Sequence, residues 1–211
     1  MRVIAIDGPA GSGKSTLARK LAARLGLAYL DTGAMYRAVA FQALRCGLAP
    51  DDRERVAAIA RELELHIGDD EVVVDGIDAT AAIRGADVTQ VVSTVAANPA
   101  VREEMRRRQR AWADDHGGGV IEGRDIGTVV FPDAELKVFL TAAPATRAER
   151  RAREMSAADY RAVQIDLARR DALDQGRDDS PLVEAPDAIV VDTTDRTVDE
   201  VVDDLLRKLE R

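Results

Sequence analysis

The stretch IDGPAGSGKSTLARKL, residues 6–21, decides the fold class of this 211-residue chain. It begins at the end of a short apolar run, VIAI, which is typical of a buried parallel strand. Gly8, Gly13, Lys14 and Ser15 satisfy the pattern GxxxxGK[ST], in which glycines allow backbone N–H groups to surround phosphates. This pattern directs the lysine to the outer phosphates and the serine hydroxyl to Mg²⁺. The sequence therefore predicts a cradle for a nucleotide triphosphate.

A helix is predicted directly after the cradle. Leu17, Leu21 and Leu25 lie on one face of the segment TLARKLAARLG, and Gly26 ends it. The positive end of the helix dipole then points at the bound anion, which supports the phosphate cradle.

The rest of the chain alternates between strand-like and helical patterns. Strands are predicted at 27–33 (ending in a turn), 119–123, 136–141 and 188–194. Helices are predicted from the turn after 27–33 to about Leu44, and at 51–62, 99–116 and 198–209. Between them, 63–67 alternates apolar and polar residues, and EVVVDGIDAT at 71–80 carries a DG pair typical of a hairpin. This order predicts a parallel, doubly wound α/β sheet with ligands at the carboxyl ends of its strands, and an inserted antiparallel lobe.

Composition narrows the possible functions and locations. The net charge is −8 and only 3% of residues are aromatic, which argues against a nucleic-acid partner. Cys46 is the single cysteine, and we find neither a signal peptide nor an apolar run of membrane-spanning length. We therefore expect a cytoplasmic protein with no membrane partner. We also expect it to be a monomer. His66 and His116 lack metal partners at useful spacing, so a zinc site or a histidine base is not expected.

Arginine dominates the basic residues, since only four of the thirty are lysine. Arg37, Arg124, Arg170 and Arg177 lie in polar clusters that follow predicted strands. Converging guanidinium groups suit an acceptor that is itself an anion, because they bind phosphate in a bidentate manner. The alternative is a set of scattered surface ion pairs. A phosphate acceptor needs no general base, although Asp125 or Asp31 could serve as one for a hydroxyl acceptor.

The absence of other signatures favours a small-molecule kinase. The sequence contains neither the guanine-reading NKxD motif nor the LSGGQ signature of transporter ATPases. A nucleotide-gated switch remains the alternative from another class, and within the kinases the alternatives are an enzyme for UMP or for a hydroxyl metabolite.

Several collinear motifs resemble bacterial-type cytidylate kinases, the CMP/dCMP kinases. The resemblance extends from residue 3 to about residue 206, and GRDIGTVVFPDA is its most specific segment. The other segments are GPAGSGKST, LDTGAMYRAVA, VREEMRRRQR, RRDALDQGR and the following SPL. The resemblance implies a P-loop, doubly wound, five-stranded parallel sheet with an adenylate-kinase-like core, an inserted antiparallel β lobe and a short helical lid.

The resemblance also implies an activity, the transfer of phosphate from ATP with Mg²⁺ to CMP or dCMP, and a role for individual residues. ATP would be held by the cradle and by a lid arginine: Gly8, Pro9, Ala10, Gly11, Ser12, Gly13, Lys14, Ser15, Thr16 and Arg147. The substrate residues would be Arg37, Arg124 and Arg177 at the CMP phosphate near Thr32 and Tyr36; Ser93, Arg102 and Asp125 at cytosine; and Arg170 and Asp174 at the sugar. Arg150 and Arg151 would join Lys14, Arg124 and Arg177 in catalysis, and their alternative is a surface stripe paired with Glu149 and Glu154.

The same resemblance divides a single kinase domain, 1–211, into three regions. The core comprises 1–32, 88–145 and 175–211, the monophosphate-binding region with its hairpin lobe is 33–87, and the lid is 146–174. Thr32 stands where relatives often have serine, a change that keeps the hydroxyl group.

Overall fold

A computed structural model describes residues 1–68, 70–155 and 159–209. Helices and strands alternate along most of the chain. In chain order they are β1 (Arg2–Asp7), α1 (Lys14–Leu25), β2 (Tyr29–Asp31), α2 (Thr32–Arg45), α3 (Arg53–Glu62), β3 (Leu65–Ile67), β4 (Val72–Val74), β5 (Ile77–Asp78), α4 (Ala86–Ala96), α5 (Pro99–His116), β6 (Gly118–Gly123), β7 (Leu136–Thr141), α6 (Pro144–Met155), α7 (Tyr160–Gln175), β8 (Ile189–Asp192) and α8 (Val198–Leu209). A 3₁₀ turn at Ala82–Arg84 and a π-helical turn at Ile126–Val130 complete them.

The chain divides into two compact units, Met1–Tyr29 with His116–Arg211, and Leu30–Asp115. The five-stranded sheet of the first unit has the order β2–β6–β1–β7–β8, and β2 is the edge strand at which the chain leaves this unit. β1 runs parallel to both β6 and β7, and β7 runs parallel to β8. The predicted α/β class with a five-stranded parallel sheet is confirmed.

The core of the first unit explains why its strands are so apolar. Ile4 and Ile6 face a cluster formed by alternate strand residues and by the apolar stripes of α1 and α8, which include Leu17, Leu21, Val201 and Leu205. The intervening residues Val3 and Ala5 are buried as well. Burial on both faces is typical of parallel sheets, which therefore carry continuous rather than alternating apolar runs.

The second unit contains the predicted antiparallel lobe. β4 pairs with β3 and β5, and the turn between β4 and β5 is made by Asp75 and Gly76, both with positive φ. This backbone conformation is the one that the DG pair predicts. The Asp75 carboxylate accepts the Glu64 N–H at 2.9 Å and the Gln42 amide at 2.6 Å, so the turn is tied to the rest of its unit.

Three elements differ from the sequence prediction: the start of α2, helix α4 and the π-helical turn. The predicted turn at the end of strand 27–33 is replaced by the first turn of α2, because the Asp31 carboxylate caps this helix by accepting the Ala34 N–H at 3.0 Å. α4 and the π-helical turn had no sequence prediction. The predicted lid, 146–174, contains most of α6 and α7, and its residues 156–158 lie outside the described part of the chain.

Across the described ranges, the structure holds no helix that is both long and apolar enough to cross a membrane.

Candidate active site

The predicted phosphate cradle forms the connection between β1 and α1. Gly8 and Gly11 have φ values of 148° and 74°, in the region that favours glycine. A Cβ atom on Gly8 would lie 2.2 Å from the Leu140 carbonyl oxygen, and one on Gly11 would lie 3.0 Å from the Arg147 carbonyl oxygen. The loop therefore needs glycine for its backbone conformation and for the close approach of β7 and α6.

The N-terminus of α1 is free to receive an anion. Within the described residues, Gly13 provides no side-chain cap for this helix, and its first turn holds no acidic residue. The buried Ser12 hydroxyl also has no hydrogen-bond partner within the described structure. Uncapped N–H groups at the positive end of a helix dipole, beside an orphan hydroxyl, form a site suited to phosphate.

Lys14 is buried in the same loop, and its Nζ atom donates to the Pro9 carbonyl at 2.8 Å. Burial, together with the nearby charge of Arg124, lowers the pKa of Lys14 to about 7, against the opposing effects of Glu122, Asp7 and Asp174. Ser15 follows in the first turn with its side chain exposed. Both residues named by the P-loop pattern therefore lie at the cradle.

A cavity of about 400 Å³ opens beside the cradle. Its walls come from the P-loop and α1, from α6, and from the segment after β8: Gly11, Ser12, Gly13, Thr16, Leu17, Leu140, Arg150, Arg153, Glu154, Thr193, Arg196, Thr197, Val198 and Val201. Arg150 donates to the Thr193 hydroxyl at 2.9 Å and to its carbonyl at 2.6 Å, and the hydroxyl lies 3.1 Å from the Ser12 carbonyl. Sequence reasoning missed Thr193, Arg153 and Arg196; Thr193 lies within the predicted strand 188–194 but directly follows β8 in the structure.

Helices α6 and α7 meet the cradle at Ala10. Its N–H donates to the Asp171 carboxylate at 3.3 Å, and its carbonyl accepts from Arg147 at 3.0 Å. Arg147 also donates to Asp171 at 2.5 Å. Asp171 is a site residue that the sequence did not reveal, whereas Arg147 had been predicted. Arg151 lies on the same helix as Arg147 and pairs at 3.1 Å with the largely exposed Glu154, the contact anticipated by the surface-stripe alternative.

A second group of buried charges brings together Arg124, Arg177 and Asp174. One Asp174 oxygen accepts from Arg124 Nε at 2.9 Å, and the other accepts from Arg177. Burial alone would raise the pKa of Asp174, but the two guanidinium charges hold it below its usual value. Arg170 is buried nearby; burial and the charge of Arg124 lower its pKa, and its Nε atom has no hydrogen-bond partner in the described structure. Arg124, Arg170 and Arg177 therefore lie together within the first unit.

The segment GRDIG is held in place by a residue that sequence reasoning left without a role. Asp7, at the end of β1, accepts the N–H groups of Ile126 at 2.9 Å and Gly127 at 2.7 Å. Burial raises the pKa of Asp7 to about 6 despite these hydrogen bonds. The buried Asp125 directly precedes the π-helical turn, and its carbonyl accepts the N–H groups of Val129 and Val130. These contacts therefore fix the position of the backbone at Arg124 and Asp125.

The second unit contains the remaining predicted site residues. Tyr36 and Arg102 are both buried, and the Arg102 guanidinium lies 5.6 Å from the centre of the Tyr36 ring. Arg37 donates to the Ile83 carbonyl and to the Thr89 hydroxyl, each at 3.0 Å. Thr32 and Ser93 are buried in this unit as well.

Fold and site together define a class of protein. A glycine-rich phosphate cradle at the end of a parallel sheet, followed by a helix with a free N-terminus and accompanied by buried arginines, defines a P-loop kinase. The chain belongs to the cytidylate kinase family, whose model matches residues 4–211.

Individual relatives agree with this assignment. The chain is 51% identical to a cytidylate kinase of Nocardia farcinica, over 97% of this chain and 92% of the relative. It is 49% identical to a cytidylate kinase of Desulfitobacterium hafniense, over 96% and 90%. Among solved structures, an uncharacterized protein from Eubacterium ventriosum superposes with a TM-score of 0.55 at 14% identity, covering 100% of this chain and 99% of that one. This last similarity supports the fold alone.

Proposed function

We propose that the protein transfers the γ-phosphoryl group of ATP to CMP or dCMP, by in-line displacement without a general base. The observation that carries the proposal is the largely buried Arg124–Asp174–Arg177 group, in which the Arg124 charge acts on Lys14 of the phosphate cradle. Family membership supplies the expected acceptor. Buried guanidinium groups suit a dianionic phosphate, because they provide both charge and planar, bidentate hydrogen bonding.

On the donor side, the loop Gly8–Thr16 is proposed to hold ATP, with the amides at the start of α1 on its phosphates. The negative charge of a bound triphosphate would raise the pKa of Lys14 and keep its ammonium group protonated. Arg147, Arg150 and Arg151 are proposed to act from α6. The contacts of Arg150 with the segment after β8 support its place beside the donor cavity.

Mg²⁺ belongs to the same proposal. The described residues include no group of three or more His, Cys, Asp or Glu side chains that could form an all-protein metal site. The exposed Ser15 hydroxyl beside the cradle fits an ion that is held mainly by nucleotide phosphates and water. When bound, the ion supplies positive charge to the phosphate oxygens.

On the acceptor side, Arg124 and Arg177 are proposed to bind the CMP phosphate, and Arg170 and Asp174 the sugar. Asp125 is proposed to accept the cytosine N4 amino group, because a carboxylate is a natural acceptor for that donor. Thr32, Tyr36, Arg37, Ser93 and Arg102 keep the substrate-binding roles that the family resemblance implies. The proposal also includes a free nucleotide as the substrate and a cytoplasmic monomer as the active form of the protein.

Of the two carboxylates that could serve as a base, Asp125 is proposed to bind cytosine and Asp31 is engaged elsewhere. Asp31 caps α2 by accepting the Ala34 N–H and lies 3.4 Å from Arg84. These contacts favour a phosphate acceptor over a hydroxyl acceptor, because phosphoryl transfer to a phosphate oxygen needs alignment and charge neutralisation rather than proton removal.

Arg124→Lys tests the acceptor role directly. We expect KM for CMP to rise by about 10-fold or more and kcat to fall, because the positive charge remains while the planar fork is lost. Steady-state kinetics with CMP and ATP varied separately measure both constants. Arg169→Lys is the matched control, since Arg169 is exposed on α7 and pairs with Asp166. A change confined to KM for ATP would show that Arg124 binds the donor nucleotide and not CMP.

A further inference from the structure

Ala10 is the point at which the lid helices are attached to the phosphate cradle. Its N–H, its carbonyl and its methyl group are all engaged: by Asp171 of α7, by Arg147 of α6, and by an apolar cluster with Ala148, Val163 and Leu167. The 2.5 Å contact between Arg147 and Asp171 closes the ring of hydrogen bonds. One peptide of the cradle is therefore held by two helices that lie more than 130 residues away in sequence.

The Arg147–Asp171 pair differs from the surface ion pairs of the same helix. Both side chains are only 12% exposed, whereas Asp166 and Arg169, one turn earlier on α7, are 36% and 46% exposed. An ion pair shielded from water and supported by further hydrogen bonds holds its geometry firmly, and removal of one partner leaves the other charge buried.

The position of α6 determines one wall of the donor cavity. Arg150, Arg153 and Glu154 line that cavity from α6, one to two turns after Arg147. The helix also approaches the loop through its backbone, since a Cβ atom on Gly11 would lie 3.0 Å from the Arg147 carbonyl oxygen. Any shift of α6 away from Ala10 would move these cavity residues away from the phosphates.

We propose that Asp171 is a positioning residue for the donor nucleotide. It holds Ala10 of the cradle and Arg147 of α6 in one arrangement, and so sets the distance between the phosphate site and the α6 wall of the cavity. It acts through these two residues and does not itself contact the nucleotide. This inference rests on the proposed function only in taking the cradle and its cavity as the ATP site.

The inference predicts an effect that is selective for the donor. We expect Asp171→Ala to raise KM for ATP and Kd for ADP by about 10- to 100-fold, because small displacements of supporting groups weaken a site by such factors. KM for CMP should rise much less than KM for ATP, since Arg124 and Arg177 donate to Asp174, whereas Asp171 acts on Arg124 through its charge. Asp171→Asn keeps one acceptor oxygen and should lie between the wild type and the alanine variant.

Three measurements test the proposal. Steady-state kinetics give the two KM values, calorimetry gives Kd for ADP without any turnover, and hydrogen exchange of the nucleotide-free protein reports on the Ala10 amide. We expect faster exchange in the peptide covering residues 8–13 of Asp171→Ala, and wild-type values throughout for Asp166→Asn, the exposed control on the same helix. If the alanine variant does not fold, the same comparison is made with Asp171→Asn.

Unchanged KM for ATP, or equal increases in both KM values, would overturn the positioning role. Failure of the proposed function is distinguishable, because it would appear as wild-type protein that binds ADP but does not phosphorylate CMP. A double-mutant cycle with Arg147→Ala adds a check. The loss of ADP affinity in the double variant should be much smaller than the sum of the two single losses, since both side chains support the same peptide.

Discussion

Lys14→Ala is expected to reduce kcat by about 10³-fold or more while the protein remains folded, since this lysine supplies positive charge to the transferring phosphoryl group. Lys14 is almost fully buried, and its ammonium group donates to the Pro9 carbonyl within the loop. Burial lowers its pKa to about 7. The charged form therefore destabilises the folded state at neutral pH, and loss of this charge should not unfold the protein.

The measurement is single-turnover phosphoryl transfer at saturating ATP and CMP, together with thermal unfolding of both proteins. Lys20→Ala is the control, because Lys20 lies on the same helix but pairs with Asp199 at the surface. Near-normal turnover in Lys14→Ala would show that the cradle binds nucleotide without catalysing transfer.

Asp125→Asn is expected to lower kcat/KM for CMP about 10²-fold or more and to narrow the ratio of CMP to UMP activity, because a buried carboxylate that accepts from N4 would face the O4 acceptor of uracil. The structure gives Asp125 a fixed, buried place: it precedes the π-helical turn whose first N–H groups are held by Asp7. An asparagine amide can donate to O4, so the variant should lose CMP activity more than UMP activity.

Both substrates are assayed with wild type, Asp125→Asn and Asp133→Asn, an exposed aspartate in the same segment. An equal loss of kcat/KM for CMP and UMP in Asp125→Asn would mean that this carboxylate supports Arg124 and that other residues recognise the cytosine. Loss in the Asp133 control would indicate a general disturbance of the segment.

Features that depend on a few neighbouring residues were predictable from the sequence. The P-loop pattern specifies its own glycine conformations, and the DG pair specifies a turn with two positive φ values. The central strand β1 was recognisable because burial on both faces leaves it continuously apolar.

Features that depend on long-range packing were not predictable. The segment ADVTQVVSTVA is rich in β-branched residues, which have low helix propensity, yet it forms α4 because Val88, Val92 and Val95 are buried on one face. Asp171 and Asp7 carry no local signal, since their partners Ala10 and Ile126 lie 161 and 119 residues away. The convergence of Arg124 and Arg177 was anticipated, but the carboxylate that joins them, Asp174, had been linked only to the sugar. The ligand contacts of Tyr36, Arg37, Ser93 and Arg102 stay predictions.

The central claim, that this P-loop kinase acts on cytidine monophosphates, is tested most directly by coupled ADP release from wild-type protein with Mg·ATP and a panel of acceptors. The panel comprises CMP, dCMP, UMP, AMP, GMP and shikimate, with ATP alone as the blank. We predict turnover with CMP and dCMP, at kcat/KM values about 10² to 10⁴ times that for UMP, as expected where a buried acceptor would be left unpaired by the wrong base. ADP release that does not rise above the blank with CMP, or that is fastest with UMP or shikimate, would contradict the account.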